Sequence, residues 1–158
     1  DHGMSENKKY YHKFLAFNYR MTSMQAAIGI GQLKRLKKIL SKKKNIKKDY
    51  ISFLKREDIS IFPEIKYRRC VEWFVTISFK KPNLRDKFIK YMATNKIECR
   101  PMIFPVSFAD HFKALNKKSQ FPNAYKISLN SVHLPSSLDL NRSKIKYICE
   151  KINNWRNK

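Results

Sequence analysis

The spacing of apolar residues predicts one long helix in the first third of the chain. From residue 22 onward, apolar side chains recur every three or four positions: Met24, Ile28, Leu33, Leu36, Leu40, Ile46, Tyr50 and Phe53. This spacing places them on one face of a helix, which we expect to run from about 22 to 55. Thr22 and Gln25 have the spacing of a capping box, in which two side chains bond N–H groups at the helix start. The sequence therefore predicts a capped N-terminus at Thr22.

The following segment has a different periodicity and predicts strands. Apolar and polar residues alternate over 71–79, which is typical of a half-buried strand. Asn83 is expected to cap the helix that comes next. Shorter strands are expected at 97–102 and 132–134, on either side of a loop rich in proline and aromatic residues.

A last helix carries an apolar stripe made of Ile145, Ile148, Cys149, Ile152 and Trp155. Either Asn141 or Asp139 is expected to cap this helix, since both precede the stripe closely. Strands and helices in this order favour a small α/β domain of two layers with a mostly antiparallel sheet.

The composition is that of a folded but very basic chain. It has 158 residues, 42% of them hydrophobic, and a formal net charge of +23. So basic a chain is a candidate for binding nucleic acid or an acidic membrane surface. However, its densest lysine run, 34–48, lies along the predicted long helix, where we expect the lysines to form the solvated face. No nucleic-acid-binding motif is visible, so we do not expect specific recognition of nucleic acid.

The cysteines predict free thiols. Cys70, Cys99 and Cys149 are far apart and form neither a CxxC pair nor a metal-binding spacing. Unpaired cysteines are usual in a reducing compartment, and no stretch is apolar enough for a membrane span. We therefore expect a cytoplasmic location and no membrane association. His111 and His133 lack neighbours suited to a metal site, so no metal is expected.

Asn18 and Arg20 are the strongest candidates for binding a ligand. They stand two residues apart, directly before the predicted helix. A helix N-terminus presents free N–H groups and the positive end of the helix dipole, and a guanidinium binds phosphate through two N–H groups. The spacing indicates an anion site. The alternative is a capped helix whose leading arginine is solvated.

Several blocks of the chain resemble, in the same order, the DegT/DnrJ/EryC1/StrS aminotransferases. They are Asp1-His2-Gly3-Met4-Ser5, Tyr10-Tyr11-His12, Ala16-Phe17-Asn18-Tyr19-Arg20-Met21-Thr22, Gln25-Ala26-Ala27-Ile28-Gly29, Arg100-Pro101-Met102-Ile103-Phe104-Pro105, Phe121-Pro122-Asn123-Ala124-Tyr125-Lys126 and Leu134-Pro135-Ser136-Ser137. Among subfamilies, the second and third blocks are most similar to the perosamine synthases. One residue departs from the pattern, because Ala16 stands where the family usually has glycine.

The resemblance implies the C-terminal portion of a fold-type I enzyme that uses pyridoxal phosphate (PLP). Residues 1–21 would be an arm that contributes to the active site, 22–57 a long connecting helix, and 58–158 the small C-terminal α/β domain. In the family a larger domain precedes the segment that begins at Asp1. That domain binds PLP and supplies the catalytic lysine, and it is absent from this chain. We therefore expect no catalytic residue here and no activity from the chain alone.

Five residues are candidates for binding the cofactor or the substrate. Asn18 matches an asparagine that hydrogen-bonds the PLP phosphate of the partner subunit, and Arg20 matches an arginine of the same shared site. His12 matches a histidine that precedes the motif, and a contact with the sugar nucleotide is one interpretation; a satisfied surface histidine is the other. Tyr11 is a candidate for stacking on a base or a sugar, and packing within the arm is the alternative. Arg100 stands beside a loop that borders the active site, where a phosphate contact is one interpretation. An ion pair with Glu98 or Asp110 is the other, and the favoured one.

The implied parent enzyme is a homodimer that aminates a nucleotide-linked keto sugar, with glutamate as the expected amino donor. A perosamine-like 4-amino-4,6-dideoxy sugar, used in surface polysaccharide, is the expected product. Two alternatives stay open at this point. One is an aminotransferase-like module that dimerises or binds sugar nucleotides without catalysis. The other is a basic nucleic-acid-binding protein, which would bind DNA or RNA with steep salt dependence.

Overall fold

The longest element is a helix of 31 residues, α1 (Ser23–Phe53). The computed structural model describes residues 3–68, 70–115 and 120–156, with the backbone alone for 113–115. Contacts between Cα atoms divide the chain into two compact units, Asp1–Lys37 and Lys38–Lys158.

The arm before α1 folds into a local hairpin. Met4 and His12 form an antiparallel bridge, and the N–H of Lys13 donates to the carbonyl of Gly3 at 2.8 Å. Gly3 has a φ of 71°, and a Cβ added there would lie 2.4 Å from the carbonyl oxygen of Phe14. The return of the chain at this point therefore depends on glycine, because a side chain would meet both backbone strain and a clash.

The predicted capping box is confirmed at the start of α1. The Thr22 N–H donates to Oε1 of Gln25 at 2.9 Å, and the Gln25 N–H donates to Oγ1 of Thr22 at 3.2 Å. Each side chain thus satisfies a backbone donor that lacks a partner within the helix. The helix ends at Phe53, two residues before the expected end.

The second unit is an α/β structure built on a sheet of four strands. After α1 the elements are β1 (Ile59–Ile61), β2 (Val75–Phe79), α2 (Arg85–Thr94), β3 (Arg100–Pro101), two 3₁₀ turns (Val106–Phe108 and Asp110–Leu115), α3 (Pro122–Asn130), β4 (Ser131–Leu134) and α4 (Arg142–Asn154). The strands lie in the order β1-β2-β4-β3, and every neighbouring pair is antiparallel. The predicted α/β fold with a mostly antiparallel sheet is confirmed.

The core lies on one face of this sheet. On β2 the side chains of Val75, Ile77 and Phe79 are buried, whereas the alternate residues are partly exposed. The stripe predicted for the last helix is buried throughout, and its final residue, Trp155, makes edge-on ring contacts with Phe79 and Phe88. The alternating strand and the helical stripe therefore pack against each other, as their sequence periods require.

The predicted start of the long strand at residue 71 is wrong. β2 begins at Val75, which pairs with Leu134 of β4. Pro135 follows Leu134 and has no N–H to donate, so the ladder cannot extend further. The apolar side chains of Val71 and Trp73, which continue the alternating pattern, are 67% and 65% exposed. Likewise, β3 is limited to two residues, Arg100–Pro101, instead of 97–102.

Two expectations about helix caps have different outcomes. Asn141 caps α4, because its Oδ1 accepts the N–H of Lys144 at 2.9 Å, so it is Asn141 and not Asp139 that caps. The cap predicted at Asn83 is wrong. Asn83 has a left-handed φ of 61°, which asparagine tolerates well, and Leu84 takes the N-cap position of α2 without a side-chain bond.

The expectation of a fully solvated lysine face on α1 is wrong for three lysines, of which Lys42 is partly buried. Lys47 is buried and pairs with Glu72 at 2.8 Å. The Nζ of Lys43 donates to the carbonyl oxygens of Trp73 at 2.9 Å and Ser136 at 2.6 Å, and burial lowers the pKa of Lys43. Five other lysines of the same run are exposed, as expected: Lys34, Lys37, Lys38, Lys44 and Lys48.

Replacing Glu72 with alanine should destabilise the second unit strongly. The side chains of Lys47 and Glu72 are 7% and 11% exposed, so the change leaves a buried ammonium group without its partner. Breaking such a pair costs about 3 kcal/mol of the free energy of unfolding. Urea denaturation followed by circular dichroism measures this loss.

The matched control is Glu64→Ala, at an exposed carboxylate of the same segment. The double variant Lys47→Met/Glu72→Leu should recover most of the loss, because it removes both charges together. If Glu72→Ala cost no more than Glu64→Ala, the pair would contribute nothing to the stability of the fold.

Candidate functional site

A tight turn precedes α1 and holds the two motif residues. The backbone N–H of Arg20 donates to Oδ1 of Asn18 at 3.0 Å, so the amide oxygen of Asn18 fixes this turn. Both side chains are exposed. The Asn18 oxygen is turned towards the backbone, and its NH₂ group remains the part that suits an anionic ligand. A carboxamide donor beside a guanidinium is a donor set that fits a phosphate dianion.

The start of α1 contributes less to this site than the sequence pattern indicates. The capping box already occupies the N–H of Gln25. An anion at this end would therefore meet the other N–H groups of the first turn and the helix dipole. The side chains of Asn18 and Arg20 are the more specific donors.

Tyr11 and His12 are neighbours in the hairpin of the arm. The ammonium of Lys8 lies 4.7 Å from the centroid of the Tyr11 ring, and half of Tyr11 is exposed. His12 takes part in the bridge with Met4, and its side chain is exposed. The first unit thus carries four of the five site residues expected from the sequence.

Arg100 is on β3, in the second unit. Its Nε lies 3.0 Å from Oε1 of Glu98, and the two side chains are 67% and 75% exposed. The ion pair with Glu98, which the sequence analysis favours, is therefore present. In the sheet register Arg100 lies opposite His133 of β4.

The second unit contains a cavity of about 760 Å³ that the sequence did not predict. It is formed by the end of β4, the segment before β2 and the first turns of α4. Its lining includes cationic and aromatic side chains: Lys43, Trp73, Phe74, Arg100, His133 and Lys144. These residues come from five separate parts of the sequence, so no local sequence motif predicts the cavity.

His133 is the most unusual member of this lining. Its Nδ1 lies 2.8 Å from Oγ1 of Thr76, and its ring stacks on Phe74 with centroids 4.7 Å apart. The residue is 8% exposed, and its Nε2 has no hydrogen-bond partner within the ranges that the structure describes. Burial lowers the pKa of His133, which favours the neutral form of the ring.

One signal in the sequence could have pointed to His133. Ser131 and His133 are polar residues at alternate positions of a strand that is buried throughout. Alternate residues of a strand share a face, so this pattern indicates a polar sheet surface opposite the core. The sequence neighbours of His133 argue against a metal site, but they do not bear on other kinds of ligand.

The residues that the structure describes contain no group of three or more side chains placed to hold a metal ion. None of their helices has the length and hydropathy that crossing a membrane requires.

The chain is similar to enzymes with known activity along nearly its whole length. It is 32% identical to GDP-perosamine synthase from Vibrio cholerae, over 98% of this chain and 43% of that protein. It is 29% identical to GDP-perosamine synthase from Escherichia coli O157:H7, over 97% of this chain and 41% of that protein. The chain thus spans about two fifths of the length of these relatives.

Solved structures share its fold. The apo form of the putative sugar aminotransferase Spr1654 from Streptococcus pneumoniae superposes with a TM-score of 0.85 at 22% identity, covering 96% of this chain and 40% of that chain. DesV from S. venezuelae superposes with a TM-score of 0.82 at 19% identity, covering 94% and 40%. The family model of these enzymes matches residues 1–153. The chain belongs to the DegT/DnrJ/EryC1/StrS aminotransferase family.

Proposed function

We propose that this chain is the C-terminal portion of a PLP-dependent enzyme that aminates a nucleotide-linked keto sugar. The observation that carries the proposal is the family match over residues 1–153, together with the Asn18–Arg20 turn that suits a phosphate. The similarity to two GDP-perosamine synthases favours a GDP-linked 4-keto-6-deoxy sugar as substrate and a 4-amino-4,6-dideoxy sugar as product. Glutamate is the proposed amino donor.

Asn18 and Arg20 would hold the cofactor through its phosphate. The Asn18 carboxamide donates one hydrogen bond, and the planar guanidinium of Arg20 donates two in parallel. When bound, PLP supplies an electron sink for the transfer of the amino group. In the proposed homodimer these two residues serve the active site of the partner subunit, and the covalent lysine belongs to the larger domain.

His12, Tyr11 and Arg100 would contact the sugar nucleotide. The half-exposed ring of Tyr11 offers an apolar face for a sugar or a base. Arg100 is held by Glu98 at the surface, where an exposed ion pair is worth at most about 1 kcal/mol. A phosphate can therefore replace Glu98 as the partner of Arg100 at little cost.

The first unit has a large apolar surface that supports assembly with other parts of the parent enzyme. Its exposed apolar residues include Tyr10, Phe14, Leu15, Phe17, Tyr19, Met21, Met24, Ile28, Ile30, Leu33 and Leu36. Apolar exposure on this scale usually marks an interface. We propose that the larger domain and the second subunit cover it.

The proposed location is the cytoplasm. All three cysteines are free, and the buried Cys99 and Cys149 have pKa values raised to about 12 by burial. Such thiols are stable in a reducing compartment.

Activity should appear when the chain is supplied with the missing domain. We expect co-expression with the N-terminal portion of the Vibrio cholerae enzyme to convert a GDP-linked 4-keto-6-deoxy sugar into its 4-amino product, measured by mass spectrometry with glutamate and PLP. The two portions of the Vibrio enzyme, expressed together, are the positive control. A complex that forms and binds PLP but gives no product would support the non-catalytic module instead.

Replacing Asn18 with alanine should weaken PLP binding by roughly ten- to a hundredfold in this assembled enzyme. The change removes a hydrogen bond to a charged phosphate, worth about 1.5–3 kcal/mol. Arg20→Lys should also weaken binding, since a two-pronged donor becomes a point charge. Titration of PLP absorbance measures both effects.

Lys44→Ala, at an exposed lysine of α1, is the control and should leave PLP affinity unchanged. Lys43 is unsuitable for this purpose, because it bonds two carbonyl groups in the second unit. If Lys44→Ala weakened PLP as much as Asn18→Ala did, the general charge of the chain would hold the cofactor, and the assignment to Asn18 would fail.

The chain by itself should self-associate despite its charge of +23. Ile28 and Leu33 are 62% and 67% exposed on α1, and burying them against another surface is favourable. Sedimentation velocity at increasing concentration should show species larger than a monomer, and Ile28→Lys/Leu33→Lys should shift the distribution to the monomer. A strictly monomeric chain at high concentration would contradict the proposed interface.

A further inference from the structure

The part of α1 that belongs to the second unit carries a row of exposed polar side chains. The members of this row are Lys38, Ser41, Lys44, Asn45 and Lys48, and all five are exposed. Residues three and four positions apart lie on the same side of a helix, so these five form one lysine stripe that extends for about 15 Å along α1. The lysine stripe is therefore a row of positive charge on a rigid element.

The side of α1 opposite the lysine stripe belongs to the core. Ile46 and Tyr50 each follow a lysine of the stripe by two residues, which is slightly more than half a helical turn. Both side chains are buried, at 1% and 0% exposure. A helix that binds at a membrane surface buries an apolar face in the lipid. The lysine stripe has no apolar member, and the apolar face of this part of α1 is already used by the core, so a lipid bilayer does not fit it.

The positive charge of the lysine stripe is not balanced within α1, which the structure describes in full. Asp49 is the one acidic residue of this helix, and its carboxylate lies 3.8 Å from the guanidinium of Arg142 on α4. Lys44 and Lys48 stand four residues apart, where two like charges repel each other and destabilise a helix. An anion that contacts both lysines would relieve this repulsion.

The residue types of the lysine stripe suit the phosphate groups of a nucleic acid. Lysine contacts phosphate as a point charge, and serine and asparagine side chains donate hydrogen bonds to phosphate oxygens. None of the five side chains is an aromatic ring on which an unpaired base could stack, which argues against a single strand as the ligand. A duplex carries about one negative charge per 1.7 Å of its axis, so a stretch of about 15 Å offers enough phosphates for all three lysines.

We propose that the lysine stripe binds the phosphate backbone of duplex nucleic acid without reading its base sequence. The proposal goes beyond the proposed function and does not depend on it, since it uses none of the residues assigned to the cofactor or the sugar nucleotide. The net charge of +23 raises the rate at which the chain meets any polyanion. The lysine stripe is the place where the contacts with the phosphates form.

The salt dependence of binding measures how many lysines contact phosphate. Fluorescence anisotropy of a labelled DNA duplex, at several salt concentrations between about 50 and 200 mM, gives the slope of log K against log salt concentration. Each contact contributes about 0.9 to the steepness of this slope, because the duplex releases counterions. We expect Lys38→Gln/Lys44→Gln/Lys48→Gln to reduce the steepness by roughly 3 and to weaken binding by roughly tenfold or more at the lowest salt concentration.

The matched control is Lys80→Gln/Lys81→Gln/Lys126→Gln, which removes the same charge at three exposed lysines outside α1. This variant should leave the salt slope nearly unchanged, because its lysines make no fixed contact with the duplex. Circular dichroism confirms that both triple variants are folded. A second duplex of unrelated sequence should bind the original chain with the same affinity as the first, since contacts to phosphate carry no sequence information.

Equal losses of slope in the two triple variants would overturn the proposal, because the general charge of the chain would then account for binding. It would also be overturned if the chain failed to bind the duplex at the lowest salt concentration, or bound one duplex sequence much more tightly than the other. Tighter binding to a single strand of the same length, or to vesicles that contain phosphatidylserine, would assign the lysine stripe to a different partner and reject the duplex.

Discussion

One face of α1 forms hydrogen bonds and an ion pair with the segments at the ends of the two central strands, β2 and β4. The geometry of the second unit depends on these contacts. Lys43, Lys47 and Tyr50 follow one another at intervals of four and three residues, so they share a helix face. Lys43 bonds the carbonyls of Trp73 and Ser136, Lys47 pairs with Glu72, and the Tyr50 hydroxyl donates to the carbonyl of Pro135 at 2.9 Å. The segment before β2 and the segment after β4 are thus held by one helix, and the cavity opens beside them.

These contacts explain why the sequence predicted some features and not others. The capping box at Thr22 and the buried stripe of α4 arise from residues a few positions apart, so their spacing alone is informative. The burial of Lys47 depends on Glu72, which is 25 residues away and not distinguished by any local pattern. The start of β2 is set by Pro135, which directly follows the neighbouring strand β4, so the alternation at Val71 and Trp73 predicts a strand that has no partner there.

The candidate sites also differ in whether they depend on residues close together in the sequence or far apart. Asn18 and Arg20 lie in one short motif, and both the motif and the turn can be recognised from consecutive residues. The cavity instead combines Lys43, Trp73 and His133, which the fold alone brings together. The ring nitrogens of a buried histidine usually have hydrogen-bond partners within the protein, so the position of a histidine in the sequence does not by itself predict a binding site. That Nε2 lacks a hydrogen-bond partner among the described residues becomes visible only when the neighbours of His133 are known.

The charge of the chain limits what can make either site selective. With a formal net charge of +23, the chain attracts any anion, and at physiological salt this attraction is largely screened beyond roughly 8 Å. Long-range attraction therefore raises the rate of encounter without distinguishing one phosphate compound from another. Discrimination requires donors with fixed direction close to the ligand. The amide of Asn18, whose oxygen is held by the turn, meets this requirement without adding to the net charge.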